Sequence, residues 1–363
     1  MLEGAPRPSA TGQASSCTVT QLFAIIVTMA KRLAEVARKV GVSEATVSRV
    51  LNEKPGVSEA TRQAVLTALD VLGYERPTKL RGERARLVGL VLPELSNPIF
   101  PAFAEVVGGS LAQNGYTPVL CTQTAGGISE SDYVDLLLEQ HVSGVVFAGG
   151  LYTQELGAHE HYEKLREVNL PTVLVSAPIA GIGFPTVSCD DRVATQLAIR
   201  HLLQLGHTRI GFVLGPQDHV PSKRKHESAE QEMRAAGLEF DESLVVRSLY
   251  SLEAGQAAAV RLIGSGVTAI VTASDPLALG AIRAVRRAGL RVPEDVSVVG
   301  YDDSALMGCV EPPLTTVRQP IEPMGRMVME LLTQQITGVR PSIDEFLFEP
   351  ELVVRASTGP VRR

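Results

Sequence analysis

From residue 87 onward, short runs of apolar, largely β-branched residues alternate with amphipathic stretches of helical length, and that alternation restricts the chain to few folds. LVGLVL (87–92), VVFAG (145–149), Thr172 to Val175, RIGFVL (209–214), Leu244 to Leu249, AIVTA (269–273) and VSVVG (296–300) read as strands, with a shorter one at Pro118 to Thr122. Runs without polar alternation suit strands buried on both faces. Between them, Phe100 to Asn114, Ser129 to Gln140, Asp191 to Leu205, about Ser222 to Ala236, Leu252 to Ile263 and Pro276 to Ala288 read as helices. Repeated strand–helix–strand units impose right-handed crossovers and parallel pairing, here with strands enough for two sheets. The expected fold class is α/β: a body of two parallel-sheet subdomains with a cleft between them.

A different pattern precedes the body. Leu33, Val36, Ala37 and Val40 form one helical stripe that stops at Gly41, a residue free to take the left-handed conformation of a tight turn. Ser43 stands at an N-cap position before a helix that buries Val47, Val50 and Leu51. Ser58 caps a third helix with Val65, Ala68, Leu69 and Leu72 on its inner face. Helix, short glycine turn, helix is the helix-turn-helix arrangement, in which the second helix enters the major groove of double-stranded DNA. Its solvent side would present Glu44, Ala45, Thr46, Ser48 and Arg49. The competing reading is any small helical bundle.

Charge separates the two. The formal net charge of −6 divides unevenly: residues 28–86 hold 12 Lys+Arg and 7 Asp+Glu, a net of +5, and residues 87–363 hold 21 and 32, a net of −11. A basic head on an acidic body suits phosphate contact at one end of the molecule. The four cysteines, Cys17, Cys121, Cys189 and Cys309, lie far apart with no C-x-x-C pair, which fits reduced thiols in a cytoplasmic protein. The histidines show no metal spacing, no run is long enough to span a membrane, and no cofactor is expected. Residues 1–28, rich in Ser, Thr, Pro and Gly, lack the layout of a signal peptide and read as a disordered extension.

The stretch VARKVGVSEATVSRVLNEKPGVSEATRQAVLTALDVLGY, Val36 to Tyr74, resembles the head of the LacI-type (LacI/GalR) transcriptional regulators, whose pattern is VAxxAGVSxxTVSRVLN followed by VSxxTRxxVxxAxxxLGY. The resemblance places Glu44 and Ala45 at the positions that vary most with operator sequence. It gives Ser43, Thr46, Ser48, Arg49 and Asn52 a place at the DNA; a forked arginine suits guanine, and an alanine can meet only a thymine methyl. SNPIF (96–100), HLLQLGHTRIGFVLGP (201–216), LGAIRAVRRAGLRVPEDVSVVGYDD (279–303), PLTTVRQP (313–320) and FEPELVVRAS (348–357) extend the likeness to the family's effector-binding core, which shares the periplasmic sugar-binding fold. In this family the segment corresponding to 77–86 folds into a hinge helix on DNA and wedges a leucine into the minor groove, and Leu80 is the candidate here. A flexible tether is the alternative, because the linker is shorter than the family pattern.

The organisation expected is an extension (1–28), a helix-turn-helix head (29–76), a hinge or linker (77–86), a body (87–358) and a tail (359–363). The body's subdomains would comprise about 87–187 plus 316–336, and 190–303 plus 340–358. The chain would cross between them near Ser188, within Asp303–Thr316, and after the helix Met324 to Ile336.

Ligands of open α/β sheets bind beyond the carboxyl ends of strands. That rule nominates Ser96, Asn97 and Phe100 after the first strand, Asp190 at the first crossing, Ser274 and Asp275 after AIVTA, and Asp302 after VVGY. Carboxylates can take two sugar hydroxyls at once. By resemblance Asp302 matches the effector-contacting aspartate, and Arg224 or Lys225 the cleft arginine, although Ser228 and Ala229 replace the Gly-aromatic pair that normally follows it. For Asp190 and Asp275 helix capping is the competing role.

The resemblance therefore implies a homodimeric repressor binding operator DNA and controlled by a small-molecule effector, a sugar. A solute-binding protein without a regulatory role is the rival, and the basic head argues against it. No G-x-G-x-x-G after a strand, Walker loop or G-x-S-x-G elbow supports an enzyme.

Overall fold

A three-helix head precedes a body in which helices flank two six-stranded sheets. The computed structural model describes residues 34–51, 54, 56–71, 86–123, 126–339, 341 and 345–362. The chain divides into two units, Met1–Ala85 and Arg86–Arg363. The 1–28 extension, Asn52, Leu72 and Leu80, with all of the 77–86 linker except Arg86, lie outside the described residues.

In the first unit α1 (34–40), α2 (Glu44–Leu51) and α3 (Glu59–Val71) surround a core of Val36, Ala37, Val47, Val50, Val65, Leu66, Ala68 and Leu69. The turn after α1 forms because Gly41 takes φ +73° and its N–H, with that of Val42, bonds back to the carbonyl of Ala37.

The second unit has two lobes. The first begins with β1 (Leu87–Leu92), α4 (Ile99–Gln113), β2 (Thr117–Thr122), α5 (Glu130–Glu139), β3 (Gly144–Ala148), α6 (Glu160–Glu167), β4 (Thr172–Val175) and β5 (Thr186–Cys189). The second runs through α7 (Asp191–Gln204), β6 (Ile210–Leu214), α8 (Val220–Ala235), β7 (Val245–Arg247), α9 (Leu252–Gly264), β8 (Ala269–Thr272), α10 (Asp275–Arg287), β9 (Ser297–Asp302) and β10 (Thr315–Arg318). Next, α11 (Ile321–Ile336) packs on α4, β11 (Glu345–Phe348) joins the first sheet, and β12 (Glu351–Val353) joins the second. The strand orders are β11-β5-β4-β3-β1-β2 and β12-β10-β9-β8-β6-β7. Every neighbouring pair is parallel except β10 with β12.

Burial on both faces explains why β1 and β3 are apolar throughout. Val146 and Ala148 of β3 face one way, into the core that holds Phe103 and Val107 of α4 and Val328 of α11. Val145 and Phe147 face the other, towards Val134 and Leu137 of α5 and Leu165 of α6. On that second side Gly89 lets α5 approach, since a Cβ there would stand 2.6 Å from Leu137.

Two segments sit in the opposite lobe from the one expected. Residues 316–318 belong to the second lobe, where β10 pairs with β9 (Thr316 opposite Gly300) and Thr316 donates to the buried Asp275. Residues 345–348 belong to the first, as β11 beside β5. The second crossing therefore falls between β10 and α11, beyond the Asp303–Thr316 span. Also unforeseen was α6, whose sequence EHYEKLRE is polar apart from the buried Tyr162 and Leu165. Helix α8 starts at Val220 because Pro221 is compatible with a first helical turn.

Candidate nucleic-acid interface and ligand cleft

In the head, Ser43 caps α2: its hydroxyl accepts the Thr46 N–H at 3.1 Å and lies 2.9 Å from the Thr46 hydroxyl. Ser58 repeats the arrangement on α3 with Thr61 (3.2 and 2.8 Å). Both caps were legible as serines placed before a helical pattern. With Val47 and Val50 fully buried and Leu51 half-buried, the outer face of α2 presents Glu44, Ala45 and Arg49 exposed, and Thr46 and Ser48 half-buried. The Thr46 hydroxyl is thus engaged in the cap, a role the sequence did not separate from base contact. Short polar side chains around one arginine leave room for close approach to a groove.

In the body, a cavity of about 300 Å³ lies between the lobes, at the carboxyl ends of the strands. Of the nominated residues, Asn97, Phe100, Lys225, Ser274 and Asp302 line it. Asn97 and Ser274 are buried, and Ser274 also caps α10 by accepting from Leu277 N.

The other four stand elsewhere. Ser96 is exposed and bonds to Glu94, which lines the cavity in its place. Asp190 is the N-cap of α7, accepting from Arg192 N (2.9 Å) and Val193 N (3.1 Å), and it is the next residue, Asp191, that faces the cleft. Asp275 lies beneath the cleft, fully buried, where it accepts from Ser304 N at 2.7 Å and Thr316 Oγ1 at 2.6 Å. Arg224 makes a bidentate pair with Glu345 of β11 at 2.8 and 3.0 Å, away from the cavity. Of the two basic residues left open, Lys225 is therefore the one at the cleft.

Lys225 is ion-paired with Asp191 and sits 4.0 Å from the centre of the Tyr301 ring. Burial raises the Asp191 carboxyl, and the ammonium opposes that rise. Across from them Asp302 holds φ +116° at the end of β9 and accepts from Gln319 Nε2 at 2.7 Å through Oδ1. Its Oδ2 is buried with no partner in hydrogen-bond geometry among the described residues. Burial, and then the charge of Asp275, push the Asp302 carboxyl well above the ordinary range; Gln319, Lys225 and Asn97 pull it back. His219 and Tyr250, neither visible to sequence reasoning, complete the second-lobe wall: the Tyr250 hydroxyl lies 3.1 Å from His219 Nδ1 and 2.8 Å from Ser222 Oγ. Burial, then Lys225, lowers His219 to about 4, so its imidazole is neutral at pH 7.

The cleft thus offers amide, hydroxyl and carboxyl groups beside Phe100, Tyr250 and Tyr301, and its lysine is already matched by a carboxylate. Such a lining suits a neutral ligand with many hydroxyls. Among the described residues no group of His, Cys, Asp and Glu could hold a metal ion, and no helix is long and apolar enough to cross a membrane.

Comparison with known proteins matches residues 32–77 to the family of bacterial regulatory proteins described as the lacI family, and residues 199–358 to the periplasmic binding protein-like domain. The chain is 52% identical to the HTH-type transcriptional regulator MalR of Streptomyces coelicolor, over 91% of this chain and 97% of that one. Among solved structures it is similar to the transcriptional regulator CelR in complex with cellobiose (35% identity, TM-score 0.68, 90% of this chain and 99% of that one). It is also similar to the lac repressor dimer bound to operator and the anti-inducer ONPF (27% identity, TM-score 0.66, 89% and 98%).

Proposed function

Since this chain belongs to the lacI family, a family of transcriptional regulators and not of enzymes, we propose that it is a cytoplasmic repressor whose hold on operator DNA is released by a neutral sugar in the interlobe cleft. Two copies joined through their bodies would each set one head on a half-site of a pseudo-palindrome. The groups proposed to meet DNA are Ser43, Glu44, Ala45, Thr46, Ser48 and Arg49, together with Asn52 and Leu80. Those proposed to meet the effector are Asn97, Phe100, Lys225, Ser274 and Asp302, joined by Asp191, His219 and Tyr250.

The observation that carries the effector reading is the buried Oδ2 of Asp302, which meets no donor in hydrogen-bond geometry among the described residues, inside a cavity whose one lysine is already paired. A buried acceptor left unmet is costly, and a ligand hydroxyl removes that cost. Paired lysine and flanking carboxylates disfavour a phosphorylated ligand, whose charge would find no unmatched Lys or Arg among the described residues that line the cleft. The cellobiose complex of the related CelR supports a sugar here. Ligand closing the cleft would alter the angle between the lobes and, by linkage, operator affinity; operator DNA must then shift effector affinity by the same factor. Titration calorimetry of the full chain with cellobiose, maltose, glucose and glucose 6-phosphate tests the site. Binding of a neutral sugar without binding of the phosphate supports it. Preference for the phosphorylated sugar contradicts it.

A further inference from the structure

Outside the lining of the cleft, one buried carboxylate gathers four partners. Glu130, the first residue of α5, is 1% exposed. Its Oε2 accepts from Gln123 Nε2 at 2.7 Å and from Leu151 N at 3.3 Å, and its Oε1 accepts from Tyr162 OH and lies 2.8 Å from His161 Nε2. Such density of donors fixes a side chain, and through it the groups that donate. At Gly150, φ +138°, an added Cβ would collide with the same carboxylate, so the turn is built around it. Tyr152 locks the other side of the turn, donating to Phe147 O at 3.0 Å and accepting from Gly149 N at 2.7 Å.

What Glu130 holds is the first-lobe wall of the cleft: Gln123, Gly150, Leu151, Thr153 and Gln154 all line it. Two residues on, the same turn reaches the other lobe. Gln154 forms an isolated antiparallel bridge with His219, Glu155 N donates to Asp218 O at 2.8 Å, and Lys223 Nζ reaches both oxygens of Glu155 at 2.8 and 3.1 Å. His219 is itself part of the cleft wall. The ion pair is solvent-exposed and weak on its own account, so the backbone bridge holds only where the turn is already in place.

We propose that Glu130 is a positioning residue for effector capture: it fixes Gln123 and the 149–155 turn, and through that turn the strap that joins the two lobes across the cleft. The effector part of this proposal rests on the cleft being the sugar site. The strap itself does not.

Hydrogen exchange of the full chain, with no ligand added, tests it on Glu130→Gln and on Tyr162→Phe, which keeps the ring but removes one donor to Glu130 and the acceptor of the Tyr152 N–H. The proposal predicts about tenfold faster exchange for Glu130→Gln at 149–157 and, across the cleft, at 217–223, with β3 and β8 unchanged. Tyr162→Phe shifts the same two peptides by less. Faster exchange confined to the first lobe, or spread evenly over the whole chain, overturns it. In calorimetry with cellobiose and maltose, Glu130→Gln weakens whichever sugar the wild type binds by about tenfold; unchanged affinity overturns the capture role. If the wild type binds neither sugar, the effector reading falls while the exchange result still decides the strap.

Discussion

Asp302 ends β9 with one carboxyl oxygen that no described residue meets in hydrogen-bond geometry. Its carboxyl is buried and raised well above the ordinary range, and among the described residues only Oδ1 accepts a hydrogen bond of good geometry, from Gln319. Replacement by asparagine keeps the shape and the φ-tolerant backbone but changes the acceptor pair, and calorimetry with the sugar that binds should show affinity about tenfold lower or worse. Unchanged affinity would remove Asp302 from the site. Its neighbour Asp275 makes a different prediction. Burial raises that carboxyl to about 6, against the donors Thr316 and Ser304. A carboxyl whose folded pKa exceeds its unfolded value of about 4 stabilises the fold below that value and loses the contribution as pH rises through the folded one. Wild type should therefore lose melting temperature relative to Asp275→Asn as pH is raised from about 4 to about 7, and a constant difference would show that Asp275 does not titrate there. Asp302 was legible because it ends an apolar run at a strand terminus. Asp190 and Asp191 were not separable, because either of two adjacent residues can cap a helix, and only the phase of α7 decides which one turns inward. His219, Tyr250 and Glu130 reach their places from loops or helix starts, where periodicity carries no signal.

At the scale of elements, helix boundaries were set by local chemistry and could be read. Ser43 and Ser58 cap, Gly41 turns, and the apolar phases of α2 and α3 match the head's core. Ser43→Ala should cost the head about 1 kcal/mol, seen as a lower melting midpoint of the head in a thermal scan; no change would mean that the Thr46 hydroxyl replaces the cap. The long apolar strands were equally legible, since burial on both faces leaves no polar alternation. β10, β11 and β12 were not, being three or four residues long and partly exposed. Their pairing depends on long-range partners such as Gly300 and Thr186, which no local window contains. That is also why the lobe assignment of 316–318 and 345–348 failed while the two-sheet α/β architecture held.

For the whole molecule, charge and connectivity argue together. A net of +5 over residues 28–86 against −11 over 87–363 confines phosphate attraction to the head and linker. Three crossings between lobes, after β5, after β10 and between β11 and β12, make any change of lobe angle a change shared by all three connections. Arg224 and Glu345 span the same junction, one from each lobe. On the proposed function, sequence-specific DNA binding by the head depends on a sugar in the body. That dependence is tested most directly by fluorescence anisotropy of the full chain on DNA from its own upstream region, across a salt series, with Arg49→Ala alongside and a panel of neutral sugars. The expected result is specific binding that weakens steeply with salt, is lost in Arg49→Ala, and is released by one sugar that leaves binding intact in Asp302→Asn. Specific binding that no cleft ligand alters would contradict the coupling, and equal binding by wild type and Arg49→Ala would contradict the assignment of α2 as the reading helix.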